Sequence, residues 1–256
     1  MILAAGGWLG WWTVVWVTLA MAGARTCAMA VNRVIDRDID ARNPRTASRH
    51  LPRGTLQVTT LRLLAAAGAV LMFISAGMLN PLCLVLSPLA LAFLVGYSYT
   101  KRFTWFSHWI LGFTDGIAAG GGWIAVRGQF DAPALVLWFA VTVWIAGFDL
   151  IYACQDIEVD RAQRLHSVPA RFGVATALAL ARINHALTAL ALAALGWLGG
   201  LGLFYWGGWA AVVALLVYEH SLVTPRDLSR VDVAFFNVNG YIAVIMLAAV
   251  VTGLWR

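Results

Sequence analysis

An all-α, polytopic transmembrane bundle of about eight spanning helices is the fold class this sequence predicts, and three observations predict it. First, the 256 residues are 61% hydrophobic and only 12% charged, with a mean hydropathy of +0.79, which is too apolar for a water-soluble surface. Second, the apolar residues form continuous runs about 20 residues long, the length that crosses the hydrocarbon as a helix. A transmembrane barrel would need apolar and polar positions to alternate, and they do not. Third, lysines and arginines gather in every second break between the runs.

Taken in order, the runs lie near 8–30, 58–79, 81–99, 107–126, 133–153, 172–196, 203–222 and 237–255, and together they form a single domain over 1–256. The N-terminal run has no basic residue ahead of it and no small-residue cleavage signal, so it is expected to span. The first break carries Arg33, Arg37, Arg42, Arg45, Arg49 and Arg53, and the third carries Lys101 and Arg102. Arg161, Arg164 and Arg171 stand in the fifth, Arg226 and Arg230 in the seventh, while the alternate breaks hold only Arg127. Such a distribution predicts that the basic loops are cytoplasmic, with both termini on the other side. Topology then accounts for much of the net charge of +6, and no nucleic-acid partner or obligate protein partner is expected. Glycine clusters such as AAGGGW at 118–123 suit close helix contacts in lipid. Cys27, Cys83 and Cys154 read as buried small side chains.

Two acidic stretches follow the first and fifth runs. In NRVIDRDID, the positions of Asn32, Asp36 and Asp40 place them along one face if the helix continues. In FDLIYACQDIEVD, Asp149, Tyr152, Asp156 and Asp160 likewise share a face. Like charges one turn apart repel, the more so where water is scarce, unless cations lie between them. Hard oxygen ligands on two helix ends point to Mg²⁺, which binds through one or two carboxylates, retains waters and takes phosphate oxygens from a substrate. A diphosphate held there also needs donors on its outer oxygens, and Arg45, Arg49, Lys101 and Arg164 are placed to supply them. A transporter of an anionic lipid or metabolite is the alternative from a different class, although transporter ion sites lie at broken helices near mid-membrane.

The stretches NRVIDRDIDARNPRTASRHLPRG, YSYTKRFT, FDLIYACQDIEVDRAQRLHSVPARFG and YEHSLVTPRDLSRVDVAFFNVNGY together resemble the UbiA superfamily of intramembrane aromatic prenyltransferases. Within it, the 4-hydroxybenzoate polyprenyltransferase branch is the most similar. The resemblance implies a helical bundle around a cavity open to the cytoplasm and to lipid. It implies that Asn32, Asp36, Asp40, Asp156 and Asp160 hold Mg²⁺ and the diphosphate of an allylic isoprenoid, with Arg45, Arg49 and Lys101 as the basic partners. Substrates would be a polyprenyl diphosphate and an aromatic carboxylic acid, 4-hydroxybenzoate or a dihydroxynaphthoate, for quinone biosynthesis in a bacterial or archaeal plasma membrane. Asp149 and Tyr152 are the candidate catalytic pair, the first as proton acceptor and the second facing the allylic cation. Arg42 and Tyr97 are candidates for binding the acceptor, with Arg42, Lys101 and Arg164 the cations available for its carboxylate, and Tyr97 is also a candidate for a ring facing the allylic cation. The resemblance implies a norm of nine spanning helices, of which this sequence is expected to start at the second. His50 and His166 stand where relatives often carry Pro and Lys, and both are expected to be surface substitutions.

Overall fold

The structure, a computed structural model, describes residues 1–254, and every regular element in them is helical. A short helix, α1 (Ile2–Ala5), precedes α2 (Trp11–Ile35), α3 (Arg37–Arg42), α4 (Val58–Leu79) and α5 (Pro81–Thr100). There follow α6 (Ser107–Arg127), α7 (Ala132–Ala153), α8 (Ile157–Ala162), α9 (Val168–Phe172), α10 (Val174–Leu198), α11 (Leu203–Ser221) and α12 (Asn239–Gly253). Seven helical segments are long and apolar enough to cross a membrane, and α7 with α8 counts as one of them. The eighth predicted span is α11, a 19-residue helix. Glycines, tryptophans and a Glu219–His220 end dilute its hydropathy. The run predicted over 237–255 begins earlier than expected, in a π-helical turn at Val233–Val238, and position 255 lies outside the described residues.

Local chemistry sets the helix boundaries. Asn80 and Asp131 accept hydrogen bonds from the backbone of Cys83 and Ala134 and so cap α5 and α7, each with a proline in the first turn where its missing N–H costs nothing. Large apolar side chains such as Trp11, Trp197 and Leu203 point outward, as in a bundle solvated by lipid. Packing between helices relies on small residues. Gly23 of α2 and Gly68 of α4 face each other so closely that a Cβ on Gly23 would come within 2.6 Å of the Gly68 carbonyl oxygen. An alanine at either position would push the two helices apart.

The predicted basic loops meet at one end of the bundle. Arg45 reaches Asp156, the His166 amide donates to the Lys101 carbonyl at 2.6 Å, and Gln155 donates to Asp232 at 3.5 Å. The connection carrying Arg127 and Asp131 lies between α6 and α7, which run from and to that end.

Candidate active site at the mouth of the bundle

Neither acidic stretch is a continuous helix. α2 ends at Asp36, whose backbone turns to φ −91°, ψ 7°, before α3 begins. α7 passes into a single 3₁₀ turn over Cys154–Asp156, and Asp156 stands at φ −104°, ψ 8° ahead of α8. Both aspartates therefore occupy the sparsely populated bridge region, common at active sites, and each is followed by a six-residue helix with a second aspartate four positions on. The single face expected of Asn32, Asp36 and Asp40 is thus bent at its middle member. The kink has a structural reason: it lets the chain turn across the mouth instead of continuing out of the bundle.

Asp36 and Asp40 are buried, at 3% and 5% exposure, and both are neutralised by cations. Lys101 Nζ lies 2.8 Å from Asp36, Arg102 lies 3.5 Å from its other oxygen, and the Asn32 amide donates to Asp36 at 3.0 Å. Arg49 donates to both oxygens of Asp40, at 2.8 and 2.9 Å, and Arg33 stands 3.6 Å away. Buried charges need such partners, because an unpaired carboxylate out of water is very costly.

Across the mouth, Asp156 accepts from Asn43 at 2.9 Å and from two nitrogens of Arg45, with Nε at 3.1 Å. Arg45 also donates to the Tyr152 hydroxyl at 2.9 Å, and its guanidinium lies 5.0 Å from the centre of that ring. Burial by itself would make the Arg45 guanidinium easier to deprotonate, but the hydrogen bond and charge of Asp156 outweigh this and raise its pKa, so it stays charged. Asp160 accepts from the Ser167 hydroxyl at 2.7 Å and has no cation at ion-pair distance among the described residues.

Deeper in, Asp149 accepts from His108 Nδ1 at 2.6 Å. The Val168 amide donates to His108 Nε2 at 3.3 Å, so the ring proton belongs on Nδ1 and points at Asp149. His108, buried at the start of α6, is a site residue that sequence reasoning missed, since a lone histidine opening an apolar run carries no pattern. Arg25 was missed as well: it is an exposed cation in the middle of α2, within electrostatic reach of Asp115 on α6. Tyr97, half-buried on α5, lies within electrostatic reach of Asp149 and Asp36.

Two of the predicted basic residues are not brought into this arrangement. Arg42 is exposed at the end of α3 and Arg164 is exposed just beyond α8, and neither pairs with an acid among the described residues. Arg164 has a left-handed backbone, φ 55°, because it closes the helix end: the next amide, that of Leu165, bonds back to the Asp160 carbonyl at 2.8 Å. His50 and Thr55 bond each other in the loop before α4, and His166 is half-buried.

Among the described residues, no three His, Cys, Asp or Glu side chains already converge as a metal cage. The donor set nevertheless suits a cation that arrives with phosphate. Asp36 Oδ1 is buried without a hydrogen-bond donor, and the carboxylates of the two helix ends share cations: Lys101 pairs with Asp36 and acts on Asp160, and Arg45 pairs with Asp156 and lies within electrostatic reach of Asp40.

Known proteins share this architecture. A 4-hydroxybenzoate octaprenyltransferase from Aromatoleum aromaticum is 31% identical over 249 residues, covering 97% of this chain and 84% of that protein. A solved UbiA homologue from Aeropyrum pernix superposes with a TM-score of 0.89 at 32% identity, covering 98% of this chain and 92% of its own. An Archaeoglobus fulgidus UbiA homologue, solved with GPP and Mg²⁺, has the same fold at a TM-score of 0.73 and 18% identity, over 95% of this chain and 89% of its own. Residues 1–251 match the UbiA prenyltransferase family, and the chain belongs to it.

Proposed function

We propose that this protein transfers a polyprenyl group from an allylic prenyl diphosphate to an aromatic acid, 4-hydroxybenzoate in the first instance, and that it uses Mg²⁺ to do so. The observation that carries this reading is the pair of helix breaks at Asp36 and Asp156, with Arg45 reaching from the loop beyond the first break to Asp156 at the second. Asn32, Asp36, Asp40, Asp156 and Asp160 would hold the metal, which when bound offsets charge on the departing diphosphate. Arg45, Arg49 and Lys101 are paired with aspartates here, and each is free to exchange that carboxylate for a diphosphate oxygen, so binding swaps partners without stranding a charge.

As the carbon–oxygen bond breaks, positive charge grows on the allylic carbon, and the Tyr152 face that the Arg45 guanidinium covers here becomes available to it once Arg45 turns to the diphosphate. Tyr97, half-buried on α5 within electrostatic reach of Asp149, would provide a second ring. The electron-rich acceptor ring attacks that carbon, and Asp149, oriented by the His108 N–H, takes the ring proton. Arg25 is an intramembrane cation with no ion pair among the described residues, and it suits the acceptor carboxylate better than Arg42 or Arg164. Basic loops gathered at one end support a cytoplasmic mouth.

The test is a membrane-fraction assay with geranyl diphosphate, 4-hydroxybenzoate and Mg²⁺, read by mass for the prenylated acid, beside a dihydroxynaphthoate sample and a chelated control. Prenylated 4-hydroxybenzoate that disappears with chelator is expected. Product from the naphthoate alone would move the acceptor to menaquinone-type chemistry, and no product from either would overturn the reading.

A further inference from the structure

Behind the mouth, where α7, α10, α11 and α12 meet, a second set of polar groups is buried that the reaction as proposed does not use. Glu219 is wholly buried at the end of α11, and His185 and His220 lie 3.0 Å apart beside it. A Cβ on Gly147 would overlap the His185 ring, so the α7 glycine makes room for this cluster. At its centre is Asn239, which accepts from Trp144 Nε1 at 2.8 Å. Its amide nitrogen lies 3.4 Å from Glu219 Oε1, 3.2 Å from the Ala234 carbonyl and 3.1 Å from the Phe235 carbonyl.

Those two carbonyls belong to the π-helical turn at Val233–Val238. A π turn widens the helix by one residue and disturbs the regular i to i−4 ladder, so it survives only where something else holds it. In a membrane, water does not satisfy the loosened carbonyls, and a side-chain amide with two N–H groups does. The turn also sets the aim of its side chains, because removing one residue from a helix rotates what precedes it by about 100°. As built, Phe235 stacks on Tyr152 with ring centres 4.1 Å apart and planes at 27°, and meets Phe148 edge-on at 5.2 Å. Phe236 meets the same tyrosine edge-on at 6.0 Å.

We infer that Asn239 is a positioning residue for prenyl transfer: its amide holds the π turn that keeps Phe235 against Tyr152 and closes that wall of the reaction space to water. The inference rests on the proposed prenyl transfer. If the wall loosens, water attacks the allylic carbon as diphosphate leaves, its oxygen bonds to that carbon, a proton passes to solvent, and the product is a prenol instead of a prenylated acid.

The experiment uses the full chain in lipid nanodiscs with Mg²⁺, geranyl diphosphate and 4-hydroxybenzoate, and measures prenylated acid and geraniol together for Asn239→Ala, Phe235→Leu and the double variant. Each single variant is expected to lose about tenfold in transfer while geraniol rises severalfold as a share of product, and the double variant to be no worse than Asn239→Ala. Hydrogen exchange without substrate should show the 233–238 amides of Asn239→Ala exchanging about tenfold faster than wild type. Trp144→Phe, which keeps an aromatic ring but removes the N–H that orients Asn239, should shift the product ratio the same way, and serves if Asn239→Ala does not fold. An unchanged geraniol share with unchanged exchange, or additive losses in the double variant, would overturn the inference. Wild-type protein that makes neither product would count against prenyl transfer itself, while the exchange measurement still decides what Asn239 holds.

Discussion

The two acidic segments have nearly the same backbone and opposite electrostatics. Both break at an aspartate with ψ near zero and continue as a six-residue helix with a second aspartate. The first is surrounded by its own cations: Arg33 and Arg49 come from the same stretch of chain, and Lys101 and Arg102 from the loop beside it. The second has none of its own. Arg161 turns away to the Ala170 carbonyl, Arg164 is exposed, and among the described residues Asp156 is neutralised only by Arg45, lent by the first segment's loop. A repeat of backbone therefore does not imply a repeat of function. The first segment is neutralised before substrate arrives, whereas in the second no cation lies at ion-pair distance from Asp160 among the described residues, and Asp156 is held by Arg45 and Asn43 of the first.

The largest expected effect tests whether both halves are needed. Asp36→Asn and Asp156→Asn should each lower kcat at least about a hundredfold, and the residual activity should need more Mg²⁺. A Mg²⁺ titration of turnover checks this, and two variants with near wild-type rates at limiting Mg²⁺ would dissolve the two-segment site. Next comes the arginine link. Arg45→Ala should cost about 10- to 100-fold in kcat/KM for the prenyl diphosphate, because it strands Asp156 and unpins Tyr152 as well as removing a phosphate donor. Arg49→Ala should cost less, since Arg33 remains near Asp40. Steady-state kinetics of both variants decide it, and the reverse ranking would break the comparison.

His108 serves the second segment alone. His108→Phe keeps a flat ring but removes the N–H that orients Asp149, so it should lower kcat about tenfold with the diphosphate KM unchanged. A rise in KM without a change in kcat would place His108 on the donor side of the site instead.

Much of this was legible from residue order, and the rest was not for identifiable reasons. The helical runs were, because a membrane span imposes length and hydropathy together; the predicted 81–99 appears as Pro81–Thr100, capped by Asn80. The acids were visible by spacing and the common end of the bundle by charge. The breaks at Asp36 and Asp156 were not, because neither site has a proline or glycine and the apolar period runs through them. VDVAFFNVNGY also reads as ordinary helix, since a π turn depends on Asn239 being held by Trp144 and Glu219 from other helices. Nor does residue order distinguish Arg45 from Arg42 or Arg164: the three carry the same charge, and only the path of the loops decides which of them reaches an aspartate.

Arg164 gives the smallest and sharpest test of the asymmetry. It sits where a helix end favours glycine, and a non-glycine residue in the left-handed region costs about 1 kcal/mol. Arg164→Gly relieves that strain, but glycine gives the unfolded chain extra freedom worth about 0.5–1 kcal/mol, so the two terms nearly cancel and the unfolding temperature should barely move. Because the guanidinium touches no acid here, the prenyl diphosphate KM should stay within about twofold of wild type. If KM instead rose about tenfold at unchanged stability, the second segment would have a phosphate-binding cation of its own after all, recruited only when the donor enters. The contrast with the first segment would then be one of timing, with charges already paired on one side of the mouth and gathered by the substrate on the other.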